Sequence, residues 1–189
     1  MSKGVRLRAI SCAVAAVTAG LALTATAGAS GGGRAIHAQD ACDPATFPAG
    51  LCARPDDSGP RVTFDRVFAD LAAKGSSGQW RFTQDKLTVH RGEAVTASMG
   101  RGGELHTFTD VTATGFGPGC VPEINQAIYG KPDPGAQCAA VDPDSGLPVV
   151  FLQTGLFPGR TIDVDTSTRG TRLYECVIHP WMRTTVTVD

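Results

Sequence analysis

The chain has 189 residues and a formal net charge of −1, and 42% of its residues are hydrophobic. Removing Lys3, Arg6 and Arg8, the basic residues of the first 29, from the total of 17 leaves 14 basic against 18 acidic residues, a net charge of −4. A mildly acidic domain of about 160 residues is large enough for one core. It gives no reason to expect nucleic-acid binding, or more than peripheral membrane association.

The first element is not part of the fold. Lys3, Arg6 and Arg8 precede an apolar stretch from Ala13 to Ala25, and Ala25-Thr26-Ala27 and Ala27-Gly28-Ala29 offer small-residue cleavage sites. That order predicts a secretory signal peptide over 1–29 and a secreted or cell-envelope protein. The apolar stretch is shorter than the ~20 residues of a spanning helix. Residues 30–60 are rich in Gly, Ala, Asp and Pro without an apolar period, and predict an irregular lead-in before a domain over 61–189. Val67, Phe68, Leu71 and Ala72 recur at helical spacing between Asp65, a candidate cap, and Gly75, a candidate stop, so one short helix is expected there.

From Trp80 the apolar period becomes two. Trp80 and Phe82, Leu87 to Val89, Ala94 to Ala97 and Leu105 to Val111 predict strands, with Arg91-Gly92 as a turn. Gly115 to Asp144 is a long Gly/Pro-rich insertion. Beyond it Val149 to Leu152, Thr161 to Val164, Thr171 to Glu175 and Thr184 to Val188 predict further strands. Many short strands with almost no helix predict an all-β, antiparallel sandwich.

Cysteine usage narrows the chemistry. Apart from Cys12, before the apolar stretch, the cysteines are Cys42, Cys52, Cys120, Cys138 and Cys176. Export places them where disulfides persist, and an odd number leaves one thiol over. Cys42–Cys52 and Cys120–Cys138 would each close a short Pro/Gly-containing loop and leave Cys176 free, although five cysteines permit other pairings.

Cys176, His179 and Met182 follow one another at three-residue intervals. On a helix this would be an ordinary packed stripe. Pro180 opposes that, because it lacks an N–H and pushes His179 out of helical geometry, and the flanking Val/Thr runs favour strands. The donors therefore belong to a tight loop between strands. A thiolate, an imidazole and a thioether together suit an ion cycling between Cu(I) and Cu(II). A second imidazole is needed. Of the remaining histidines, His37 falls in the expected lead-in and His90 at a turn. His106 begins a strand whose end can lie beside the closing loop, and it is the candidate.

Tyr174-Glu175-Cys176-Val177-Ile178-His179-Pro180-Trp181-Met182-Arg183, followed by a Val/Thr strand, resembles the copper loop of the cupredoxins, or blue copper proteins, with the spacing closest to the amicyanin and plastocyanin type. Leu87 to Thr96 and then Glu104-Leu105-His106-Thr107-Phe108-Thr109 resemble their upstream strand, turn, strand and first histidine. The resemblance spans about residues 80–112 and 147–189. It implies a Greek-key β-sandwich holding one type 1 copper ion, with His106, Cys176 and His179 as equatorial ligands and Met182 as the long axial one. Thr107 stands where many members carry Asn, which puts the support of the cysteine in question. Trp181, with Pro180, is expected to help form an apolar face around His179 where a redox partner protein docks.

The function expected is one-electron transport, without enzymatic activity. Copper delivery or buffering is the alternative, since the same donors would serve it. A copper oxidase or reductase would need further clustered histidines, and the chain holds only four histidines. A Cys176–His179 nucleophilic dyad explains neither Met182 nor His106. No phosphate-binding G-x-x-x-x-G-K loop or G-x-S-x-G elbow occurs.

Overall fold

The alternating segments pair into two four-stranded sheets. The computed structural model describes residues 34–52 and 59–189; the signal peptide expected over 1–29 lies outside the described residues. In chain order the strands are β1 (Arg34–Gln39), β2 (Arg81–Phe82), β3 (Lys86–Val89), β4 (Val95–Met99), β5 (His106–Thr107), β6 (Thr109–Asp110), β7 (Gly155–Leu156), β8 (Thr161–Asp163), β9 (Gly170–Glu175) and β10 (Arg183–Val188). One sheet has the order β2-β1-β4-β8 and the other β3-β10-β9-β6, while β5 pairs with β7.

The sequence predicts an antiparallel sandwich, but the pairing is not antiparallel throughout. β1 runs parallel to β4, and β10 parallel to β3. A parallel pair needs a long connection between its strands, and both pairs join segments far apart in the chain. β1 also corrects the expected irregular lead-in over 30–60. Ile36 and Ala38 are fully buried while their neighbours face outward. Small and polar residues carry this alternation, so the strand leaves little mark on an apolar profile.

Helix α1 (Phe64–Lys74) forms where expected, but Thr63 rather than Asp65 caps it, accepting from the Arg66 amide. Gly75 ends it at φ 68°. Two further helices were not expected. α2 (Pro122–Tyr129) lies inside the 115–144 segment, starting on a proline whose missing N–H costs nothing in a first turn. α3 (Val149–Thr154) replaces the strand predicted from Val149 to Leu152. A four-residue apolar run does not distinguish strand from buried helix. Here Pro148 precedes the helix, the Phe151 amide donates back to its carbonyl, and Thr154 Oγ1 donates to Val150 O at 2.6 Å.

Phe82, Phe108 and Tyr174 anchor the core. Phe108 stacks on Tyr174 at 4.4 Å and meets Phe82 edge-on at 5.2 Å. The strand register sets the site. Thr109 opposes Glu175 on one side of β9, and Arg183 opposes Glu175 on the other. Running the antiparallel β6–β9 alignment past its end carries β5 alongside the 176–182 loop, at one end of the sandwich.

Candidate metal centre

Register brings His106 to the loop, and backbone hydrogen bonds close the loop around it. The Cys176 amide donates to Met182 O at 3.0 Å, and the Met182 amide to His179 O at 2.8 Å. Pro180 sits at the apex of this turn, where no amide hydrogen is required of it. The 115–120 segment lies against the loop. A Cβ on Gly119 would stand 2.3 Å from Val177 O, so only glycine permits that approach.

Three donor atoms converge. His179 Nδ1 lies 3.2 Å from His106 Nδ1, and Cys176 Sγ lies 3.6 Å from His179 Nδ1 and 3.9 Å from His106 Nδ1. Cys176 and His106 are fully buried and His179 is 4% exposed. Burial alone would raise the Cys176 thiol, but hydrogen bonds and charge from His106 and His179 hold it well below its ordinary value. Cys176 is the free cysteine, while Cys42–Cys52 and Cys120–Cys138 are disulfides.

The remote ring nitrogens fix which atoms are free. His106 Nε2 lies 2.9 Å from Asp40 Oδ2, both side chains fully buried. Donation from Nε2 to this carboxylate turns Nδ1 toward Cys176 and His179. Asp40 also accepts from the amides of Cys42, Gly103 and Glu104 at 3.0–3.1 Å. Gly102 admits the wrapping backbone at φ 123°, and a Cβ there would meet Asp40 Oδ2 at 2.1 Å. Burial would raise the Asp40 carboxyl, but His106 and the amides hold it low. Burial would equally lower His106, and the bonds to Asp40 and Cys176 raise it to about 10. On the other ring, His179 Nε2 faces Glu104 Oε2 at 3.5 Å, and that oxygen accepts the Trp80 indole N–H. Burial pushes Glu104 upward.

Two imidazole nitrogens and a low-pKa thiol facing one another at these distances suit a shared cation, which would displace the protons they hold. The triangle has the size of one that surrounds an ion at about 2.0 Å from nitrogen and about 2.3 Å from sulfur. Carboxylate partners on both rings are the usual way of orienting metal-binding histidines. The departure at Thr107 is also answered. Its amide donates to Cys176 Sγ at 3.3 Å, and its hydroxyl accepts from the Val177 amide at 2.9 Å.

Met182 is 1% exposed within the same loop. His37 bonds Ser98 within the sheet and His90 pairs with Asp189 at the surface, so neither joins the cluster. Pro180 is buried beside the 119 segment. Trp181 is half-buried, its indole N–H shared between Ser77 O and Trp80 O at 3.1 Å, with its ring edge-on to His179 at 5.3 Å. It ties the loop to the turn before β2. Asp40 escaped the sequence reading because nothing local marks a residue 66 positions from its partner. Glu104, two residues before His106, carried a weak signal.

No family model matches the chain, and no curated protein matches it. Solved structures do. A purple cupredoxin from Nitrosopumilus maritimus is 17% identical, covering 60% of this chain and 86% of its own, with a TM-score of 0.35. Oxidised plastocyanin from Dryopteris crassirhizoma is 23% identical over 59% of this chain and 91% of its own, TM-score 0.32. A reduced amicyanin variant is 19% identical over 74% of this chain and 99% of its own, TM-score 0.34.

Proposed function

We propose that this protein is an extracytoplasmic electron carrier of cupredoxin type, with one type 1 copper held by His106, Cys176, His179 and, axially, Met182. The observation that carries the reading is the convergence of His106 Nδ1, Cys176 Sγ and His179 Nδ1 in a buried cluster. A thiolate with two imidazoles and a nearby thioether is the donor set of an electron-transfer copper site. When bound, copper supplies one-electron exchange there.

The chain's own part is to hold still. Asp40 and Glu104 orient the rings, the Thr107 amide steadies the sulfur, and backbone bonds close the loop, so the donors need little movement between charge states. The same burial favours carrying electrons over delivering copper. Handing over an ion requires an incoming ligand to reach it, and every donor here is at most 4% exposed. Two disulfides fit an oxidising compartment, and among the described residues no helix is long and apolar enough to cross a membrane.

The test is to load the purified protein with Cu(II) and record visible absorption and EPR. An intense thiolate-to-copper band with a small hyperfine splitting is expected. It is lost in Cys176→Ser and altered in His106→Ala. A colourless protein that binds no copper overturns the reading.

A further inference from the structure

Beside His179 lies a cavity of about 430 Å³, within the size range of small-ligand sites, about 300–1,000 Å³. We propose that it binds a small, uncharged, ring-bearing phenol. The binding stands on the cavity and does not depend on the copper reading.

The walls come from segments outside the two sheets. Phe47 belongs to the Cys42–Cys52 loop, Phe68 to α1, Ile124 to α2 and Phe151 to α3, and Trp181 adds a further ring. Flat aromatic walls favour a flat guest. The polar lining is small, two carboxylates and one imidazole. Glu104 and His179 are nearly covered, Glu123 is exposed, and no lysine or arginine contributes. An anion would find no partner there. A hydroxyl donor would, because Glu104 keeps acceptor capacity beyond its bond from Trp80. Depth selects size. Leu51 and Leu147 are 51% and 44% exposed, whereas His179 is 4% exposed. A broad protein surface would rest on the leucines, while a single ring can pass them and reach the imidazole edge.

The experiment is calorimetric titration of the full chain with 2,6-dimethylphenol, repeated with 2,6-dimethylanisole, benzylammonium and decanol, and with tryptophan fluorescence as a second readout. The phenol is expected to bind saturably. Methylating its hydroxyl should weaken binding about tenfold, as befits a lost hydrogen bond in a buried site. Phe151→Trp, which fills the cavity, should weaken the phenol at least as much. Equal or tighter binding of the anisole, the ammonium or decanol overturns the proposal, as does absence of saturable phenol binding. This ligand series uses the unaltered protein, so the test survives a variant that fails to fold. Repeating it on Cys176→Ser separates the two readings. Cys176→Ser, which loses the copper band, should still bind the phenol, whereas phenol binding by an unaltered chain that shows no blue copper band would sink the copper reading and leave the cavity. A blue band without phenol binding would sink the cavity alone.

Discussion

Replacing Asp40 with asparagine tests the deepest part of the site. The carboxylate accepts four hydrogen bonds, from the Cys42, Gly103 and Glu104 amides and from His106 Nε2. Asparagine has one acceptor oxygen. Whichever way its amide turns, an NH₂ group faces two of these four donors. Each orphaned buried donor costs about 1–3 kcal/mol, and breaking a buried charge pair costs about 3–5 kcal/mol. The metal-free Asp40→Asn protein should therefore lose about 3–5 kcal/mol in guanidinium denaturation, or about 10 °C in melting temperature for a chain of this size. Without its carboxylate the His106 ring loses its orientation, and copper affinity measured against a competing chelator should fall about 10–100-fold. A stability loss under about 1 kcal/mol would refute the hydrogen-bond argument. Lower stability with unchanged copper affinity would show that Asp40 ties backbone without positioning His106.

Burial pushes Glu175 up to about 7, against the opposing pull of Arg183, and its Oε1 is buried without a partner. The folded chain thus keeps a proton that the unfolded chain releases near 4.5. The resulting stability is fully present below that value and is lost as pH rises to about 7, by up to about 3 kcal/mol. Melting temperatures from pH 4.5 to 8 should show this slope, and Glu175→Gln should remove it; identical slopes in both proteins would refute the assignment. Met182→Leu should retain copper but shift the reduction potential in voltammetry, and an unmoved potential would count against axial ligation. Trp181→Ala removes the tie to Ser77 and Trp80 as well as a cavity wall, so it should slow reduction by a donor while the copper spectrum stays nearly intact. A collapsed spectrum would make Trp181 structural.

The donors were legible in the sequence because chemistry and spacing coincide in them. Cys176, His179 and Met182 lie within seven residues, Pro180 rules out the helix, and the unpaired thiol is the one beside the imidazole. Strands with clear alternation, such as Thr184 to Val188, were equally readable. β1 was not, since Ala, His and Gln supply most of its length and its burial is set by β2 and β4 on either side. α3 was missed because four apolar residues carry no period. The orienting groups were hidden for a different reason. Asp40 and the Thr107 amide act through contacts that only the finished sheets create.

Those contacts carry a consequence for the order of events. Asp40 reaches His106 across 66 positions, and the Thr107 amide reaches Cys176 across 69. Contacts of such separation form late, after the intervening chain has paid its closure entropy. A nascent or unfolded chain thus presents the short Cys176–Met182 segment without His106 and without the contacts that orient the donors, and the complete site exists only after the sandwich has closed. Metal acquisition then becomes a check on completed folding.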